Sequence, residues 1–127
     1  MRPITAIRTL ELDGIYDPNW LSPIGTPPFP AYTSGHSTFS GCSAAVLSHL
    51  FPGGTVPDAF GHSVSYTQAA EQAAVSRLYG GIHYRSDNEA GLIAGQGVAS
   101  LVIRRAQNDG ADGRSAPAAA PPRRGWG

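Results

Sequence analysis

The chain is 127 residues long, with nine arginines, no lysine and nine acidic residues, so its formal net charge is zero. Such a balance gives no field that would hold nucleic acid or an anionic membrane surface, and this length builds one domain at most. The lone Cys42 excludes an intrachain disulfide, and its place in an apolar helical stretch predicts a small core residue rather than a nucleophile. No apolar run follows Met1-Arg2-Pro3, so no signal peptide is read there and the compartment stays open.

Ile4, Ile7 and Leu10 recur at helical spacing behind Arg2-Pro3, which predicts a short first helix. From Asp13 to Tyr32 the dipeptides Asp-Gly, Asp-Pro, Ser-Pro, Gly-Thr-Pro-Pro and Phe-Pro break regular structure. A loop that long in a compact unit points to function. The next helix is predicted over about Ser37 to Phe51, with Phe39, Cys42, Val46 and Leu50 on one apolar face, and Pro52-Gly53-Gly54 stops it.

A further helix is predicted from Ser65 to Tyr79. Ser65 and Gln68 form a capping box, the Ala69/Ala73 and Ala70/Ala74 pairs allow close packing, and Gly80-Gly81 ends the run. The last helix is predicted from Ser86-Asp87 to about Ala106, with Asp87 as N-cap and Arg104-Arg105 in the final turn. Its apolar run, Ala90 to Ile103, is short for a membrane span and is interrupted by Gln96 and three glycines, so a soluble protein is expected. Gly91 and Gly95 predict close helix packing. No strand is predicted, and the fold class is all-α. Residues 1–107 are expected to fold, and residues 108–127, rich in Gly, Ala and Pro, to form a disordered tail.

Two element junctions carry the chemistry. Ser34-Gly35-His36 ends the proline-rich loop where a helix starts, and the unpaired N–H groups of a helix start attract an anion. Ser76-Arg77, five residues, His83, three residues and Asp87 span the turn between the last two helices. There a guanidinium fork closes one helix, and an aspartate at the next helix start can hold one nitrogen of His83 and leave the other free. Each motif taken singly has a plainer reading as a cap, a turn or a solvated charge. Their joint occurrence points to an oxyanion site.

These residues resemble two of the three signatures of the type 2 phosphatidic acid phosphatase (PAP2) and vanadium-dependent haloperoxidase superfamily, and Arg2-Pro3 resembles the end of the third. The resemblance spans residues 1 to 107 and implies the C-terminal part of a helical bundle. It implies that Arg2, Ser34, Gly35 and Arg77 bind the oxygens of phosphate or vanadate. His83 is implied as the vanadate ligand or the nucleophile toward phosphorus, Asp87 as the residue that orients it, and His36 as the acid–base residue. Two chemistries share such a site. A haloperoxidase holds vanadate as cofactor and oxidises halide with hydrogen peroxide. An acid phosphatase needs no cofactor and hydrolyses a phosphate ester through a phosphohistidine. The run Pro27-Pro28-Phe29-Pro30-Ala31-Tyr32 resembles the haloperoxidase loop, and Phe29 is similar to the chloride-oxidising type, with Trp20 a candidate for the same mouth.

The chain departs from the pattern in two places. Thr33 stands where proline usually precedes Ser-Gly-His, and the expected lysine would lie seven positions ahead of Arg2, upstream of Met1. The sequence therefore reads either as the catalytic part of a longer enzyme or as a non-catalytic oxyanion-binding subunit, with Arg8 or Arg85 as possible substitutes for the lysine. Apolar helix faces left uncovered predict self-association or a partner chain that completes the bundle.

Overall fold

The computed structural model describes residues 1–11 and 14–113. Four helices and one small hairpin follow in the order α1 (Pro3–Thr9), α2 (Gly35–Leu50), β1 (Thr55–Pro57), β2 (Ser63–Ser65), α3 (Tyr66–Tyr79) and α4 (Arg85–Asp109). The predominantly helical architecture agrees with the all-α reading. The hairpin adds two short strands that the sequence did not signal: β1 and β2 pair antiparallel with Val56 opposite Val64. Strands of three residues, one ending in proline, are too short to leave an alternating pattern in the sequence.

Residues 14 to 34 hold no helix or strand, as the breaker residues predicted. The loop is nevertheless anchored. Asp17 N–H donates to the Ile7 carbonyl at 3.0 Å, Arg8 Nε to the Trp20 carbonyl at 2.7 Å, and Ile24 N–H to the Gly80 carbonyl at 3.4 Å. It lies against the Gly80-Gly81 turn so closely that a Cβ on Gly80 would meet Ile24 Cδ1 at 2.6 Å, and one on Gly81 the Trp20 ring at 2.8 Å. Those two glycines stop α3 and also make room for the loop.

The helices pack through small residues. α4 lies chiefly on α2, and α2 turns Ser37, Gly41 and Ala44 inward. The predicted apolar face is therefore misplaced: Phe39 is 77 % exposed, Leu50 lies near the surface, and Cys42 is only half-buried. The cause is distance. A Cβ on Gly41 would stand 2.9 Å from the Leu92 carbonyl oxygen, so the two backbones meet where no large side chain fits. Gly91 and Gly95 complete that seam from α4. Ala70 and Ala74 bury α3 in the same way. Ile93, Leu101 and Phe39 remain uncovered.

Helix ends differ from the predicted ones by at most three residues, and α3 ends at Tyr79 as predicted. Ser65 caps α3 with the expected capping box. α4 begins at Arg85 behind Tyr84, so Asp87 is its third residue and not its N-cap; its Oδ2 accepts the Tyr84 N–H at 2.9 Å. α4 also runs on to Asp109, where Gly110 at φ 77° ends it, which moves Arg104 and Arg105 out of the last turn. Asn108 and Asp109 of the predicted tail are thus helical, and residues 114–127 lie outside the described residues. No helix among the described residues is long and apolar enough to cross a membrane.

Candidate active site

Arg2 precedes α1 and is 6 % exposed. Its Nε donates to the Phe29 carbonyl at 2.8 Å, and its Nη1 donates to the Ile82 carbonyl at 2.8 Å and to His83 Nε2 at 3.2 Å. The Phe29 ring covers the guanidinium, with 4.9 Å from Cζ to the ring centroid. Among the described residues Arg2 Nη2 is buried with no hydrogen-bond partner. Burial lowers the Arg2 pKa and the charge of Asp87 opposes that, while a guanidinium stays protonated throughout.

His83 is 3 % exposed and sits in the turn that Gly80-Gly81 opens. Its Nδ1 lies 3.4 Å from Asp87 Oδ2. A carboxylate accepts only and a guanidinium donates only, so the contacts assign the proton to Nδ1 and the lone pair to Nε2. Burial, then the neighbouring Arg2 cation, hold the His83 pKa below its ordinary value against the pull of Asp87. The imidazole is accordingly neutral near pH 7, with an electron pair facing Arg2.

Ser34 caps α2, and its N–H donates to the Asp87 carbonyl at 3.0 Å, which ties the start of α2 to the start of α4. Its hydroxyl is fully buried in a short chain: Ser37 Oγ lies 3.0 Å from Ser34 Oγ and 3.1 Å from Asn88 Oδ1. Gly35 opens α2, and its N–H is one of the amides that a helix start leaves unpaired. His36 is exposed one residue further, with Nε2 3.3 Å from Arg77 Nη1. Arg77 Nε donates to Ser76 Oγ at 3.0 Å, and the Arg77 carbonyl accepts the Ile82 N–H at 3.3 Å.

The structure thus brings Arg2, His83 and Asp87 into direct contact and joins Ser34 to them through the backbone. It pairs His36 with Arg77 beside them. Arg8 is engaged with the Trp20 carbonyl, and Arg85 lines a cleft with Glu71 and Glu89. Trp20 packs against the Gly80-Gly81 turn.

Sequence reasoning missed four contributors: the Phe29 and Ile82 carbonyls that hold Arg2, and the Ser37 and Asn88 side chains under Ser34. A carbonyl belongs to every residue and leaves no compositional trace. Asn88 beside Asp87 at a helix start is the one signal that could have been read.

The family model described as "PAP2 superfamily" matches residues 1–111. The chain belongs to the PAP2 superfamily. Comparison with curated proteins gives no significant match. Among solved structures, this PAP2 chain is similar to one described as the first bacterial vanadium-dependent iodoperoxidase, at 39 % identity and a TM-score of 0.71. The match covers 82 % of this chain and 26 % of that protein, so the chain spans about a quarter of its length.

Proposed function

We propose that this chain carries the oxyanion site of a vanadium-dependent haloperoxidase, which holds vanadate and oxidises halide with hydrogen peroxide. The observation that carries this reading is the Arg2–His83 contact: a buried cation with an unpartnered Nη2 beside a neutral imidazole whose Nε2 is an acceptor. A lone buried N–H group costs about 1–3 kcal/mol, and an anion is the partner that would relieve it. The donor set fits vanadate and phosphate alike, with guanidinium N–H groups for the oxygens and an imidazole lone pair for the central atom. The iodoperoxidase match supports the haloperoxidase branch.

Each residue then has a task. Arg2 and Arg77 would bind oxygens of the oxyanion, and the Gly35 N–H and the Ser34 hydroxyl would add hydrogen bonds from the start of α2. Asp87 keeps the proton of His83 on Nδ1, so that Nε2 can hold the metal. Arg2 Nη1 now takes up that lone pair, so it must release Nε2 when an oxyanion offers better acceptors. His36 is exposed, and its Nε2, now 3.3 Å from Arg77 Nη1, would take or give a proton once Arg77 turns to the oxyanion. Bound vanadate supplies the Lewis-acid centre that activates peroxide toward halide.

The test is an orthovanadate titration of the full chain and of His83→Ala, followed by two assays. Binding by the parent and none by the variant, at equal helical content, is the expected result. Retained vanadate affinity in His83→Ala would sink the assignment. Halide oxidation with peroxide supports the haloperoxidase reading. Hydrolysis of a phosphate monoester without halide oxidation would instead make His83 the nucleophile toward phosphorus and His36 the acid for the leaving oxygen.

A further inference from the structure

Phe29 is 59 % exposed, while the guanidinium beneath its ring belongs to a residue only 6 % exposed. An exposed aromatic ring over a buried cation is an unusual use of apolar surface, and the same residue also supplies the carbonyl that accepts Arg2 Nε at 2.8 Å. A guanidinium is planar, so fixing two of its nitrogens fixes the third. Here Nε is tied to Phe29 and Nη1 to Ile82, and the ring face limits tilting of the plane. The nitrogen whose direction this determines is Nη2, the one left buried without a partner.

We propose that Phe29 is a positioning residue: its ring and carbonyl together hold Arg2 so that Nη2 points at the place of the bound oxyanion. This rests on the oxyanion-site reading above and assigns Phe29 an effect on anion binding that precedes any choice of halide. The ring also keeps water from Nη2, so that the bond to the anion forms in a drier surrounding and is stronger for it. The ring's exposure means that its replacement leaves no core cavity, and the carbonyl survives any substitution.

The experiment compares the parent with Phe29→Leu and Phe29→Tyr, each also in an Arg2→Gln background. The first readout is hydrogen exchange of the Arg2 Nε–H by NMR in anion-free protein, which needs no ligand. Phe29→Leu is expected to speed it several-fold, and Phe29→Tyr, which keeps a π face, to restore it. The second readout is affinity for inorganic phosphate, expected to weaken about three- to tenfold in Phe29→Leu and to recover in Phe29→Tyr. In the Arg2→Gln background the leucine variant should cost nothing further. An equal loss in both backgrounds, or unchanged Nε–H exchange in Phe29→Leu, overturns the proposal. Should the parent bind no phosphate, the oxyanion reading fails, and the exchange readout still decides whether Phe29 holds Arg2.

Discussion

Replacing Gly91 with alanine joins packing to the site. A Cβ there would stand 2.6 Å from the Ser34 carbonyl oxygen, 2.8 Å from Ser37 Cβ and 3.2 Å from Thr38 N. Ordinary contact begins near 3.4 Å, so the start of α2 must retreat by about 0.8 Å against its nearest obstacle, which is backbone and cannot rotate away. Overpacking of this kind costs roughly 1–3 kcal/mol. Alanine returns about 1 kcal/mol in helix propensity. Gly97→Ala isolates that second effect, because nothing lies within 4 Å of its Cβ. Urea melts followed by helical circular dichroism should show Gly97→Ala as stable as the parent or more stable by up to about 1 kcal/mol. Gly91→Ala should fall below it by about 1–3 kcal/mol. The retreat carries Ser34, Gly35 and His36 away from Asp87, so phosphate affinity should fall in Gly91→Ala and hold in Gly97→Ala. Equal stability of the two variants would refute the close approach of α2 and α4.

Asp87 Oδ2 alone meets both the Tyr84 N–H and His83 Nδ1, so Asp87→Ala removes both bonds at once. The imidazole then loses the acceptor that keeps its proton on Nδ1, and a proton moved to Nε2 faces Arg2 Nη1, donor against donor. We expect a stability loss of about 1–2 kcal/mol in a urea melt and a roughly 10- to 100-fold loss of vanadate affinity by titration; parent-like affinity would refute the assigned tautomer. The hairpin has its own pH dependence. Burial acts to raise the Asp58 pKa, but the His62 and Phe60 N–H groups and the His62 and Gln72 side chains outweigh it and hold the carboxyl below its ordinary 3.8. A depressed carboxyl stabilises the fold above its unfolded pKa, and that contribution is lost as pH falls through the folded value. Protection of the Phe60 and His62 amides, taken relative to their intrinsic exchange rates at each pH, should therefore fall under acid, and Asp58→Asn should flatten that response.

What the sequence by itself determined was local. The capping box at Ser65, the breaker-rich loop and the glycine stop after Tyr79 depend on residues a few positions apart, so their chemistry is written in order along the chain. The candidate site residues could be picked out for the same reason: Ser34-Gly35-His36 and the Arg77–His83–Asp87 spacing are short stretches, each set by one element junction. Tertiary structure decided what depends on distance between elements. It turned Phe39 outward because Gly41, Gly91 and Gly95 let two backbones meet, a closeness that composition suggests and only packing enforces. It moved Asp87 from N-cap to third residue, because its carboxylate could serve the Tyr84 N–H and His83 at once. And it set Arg2 against His83, 81 positions apart, through the carbonyls of Phe29 and Ile82. Backbone acceptors are the same at every residue, so no sequence pattern could have shown which of them would hold the cation.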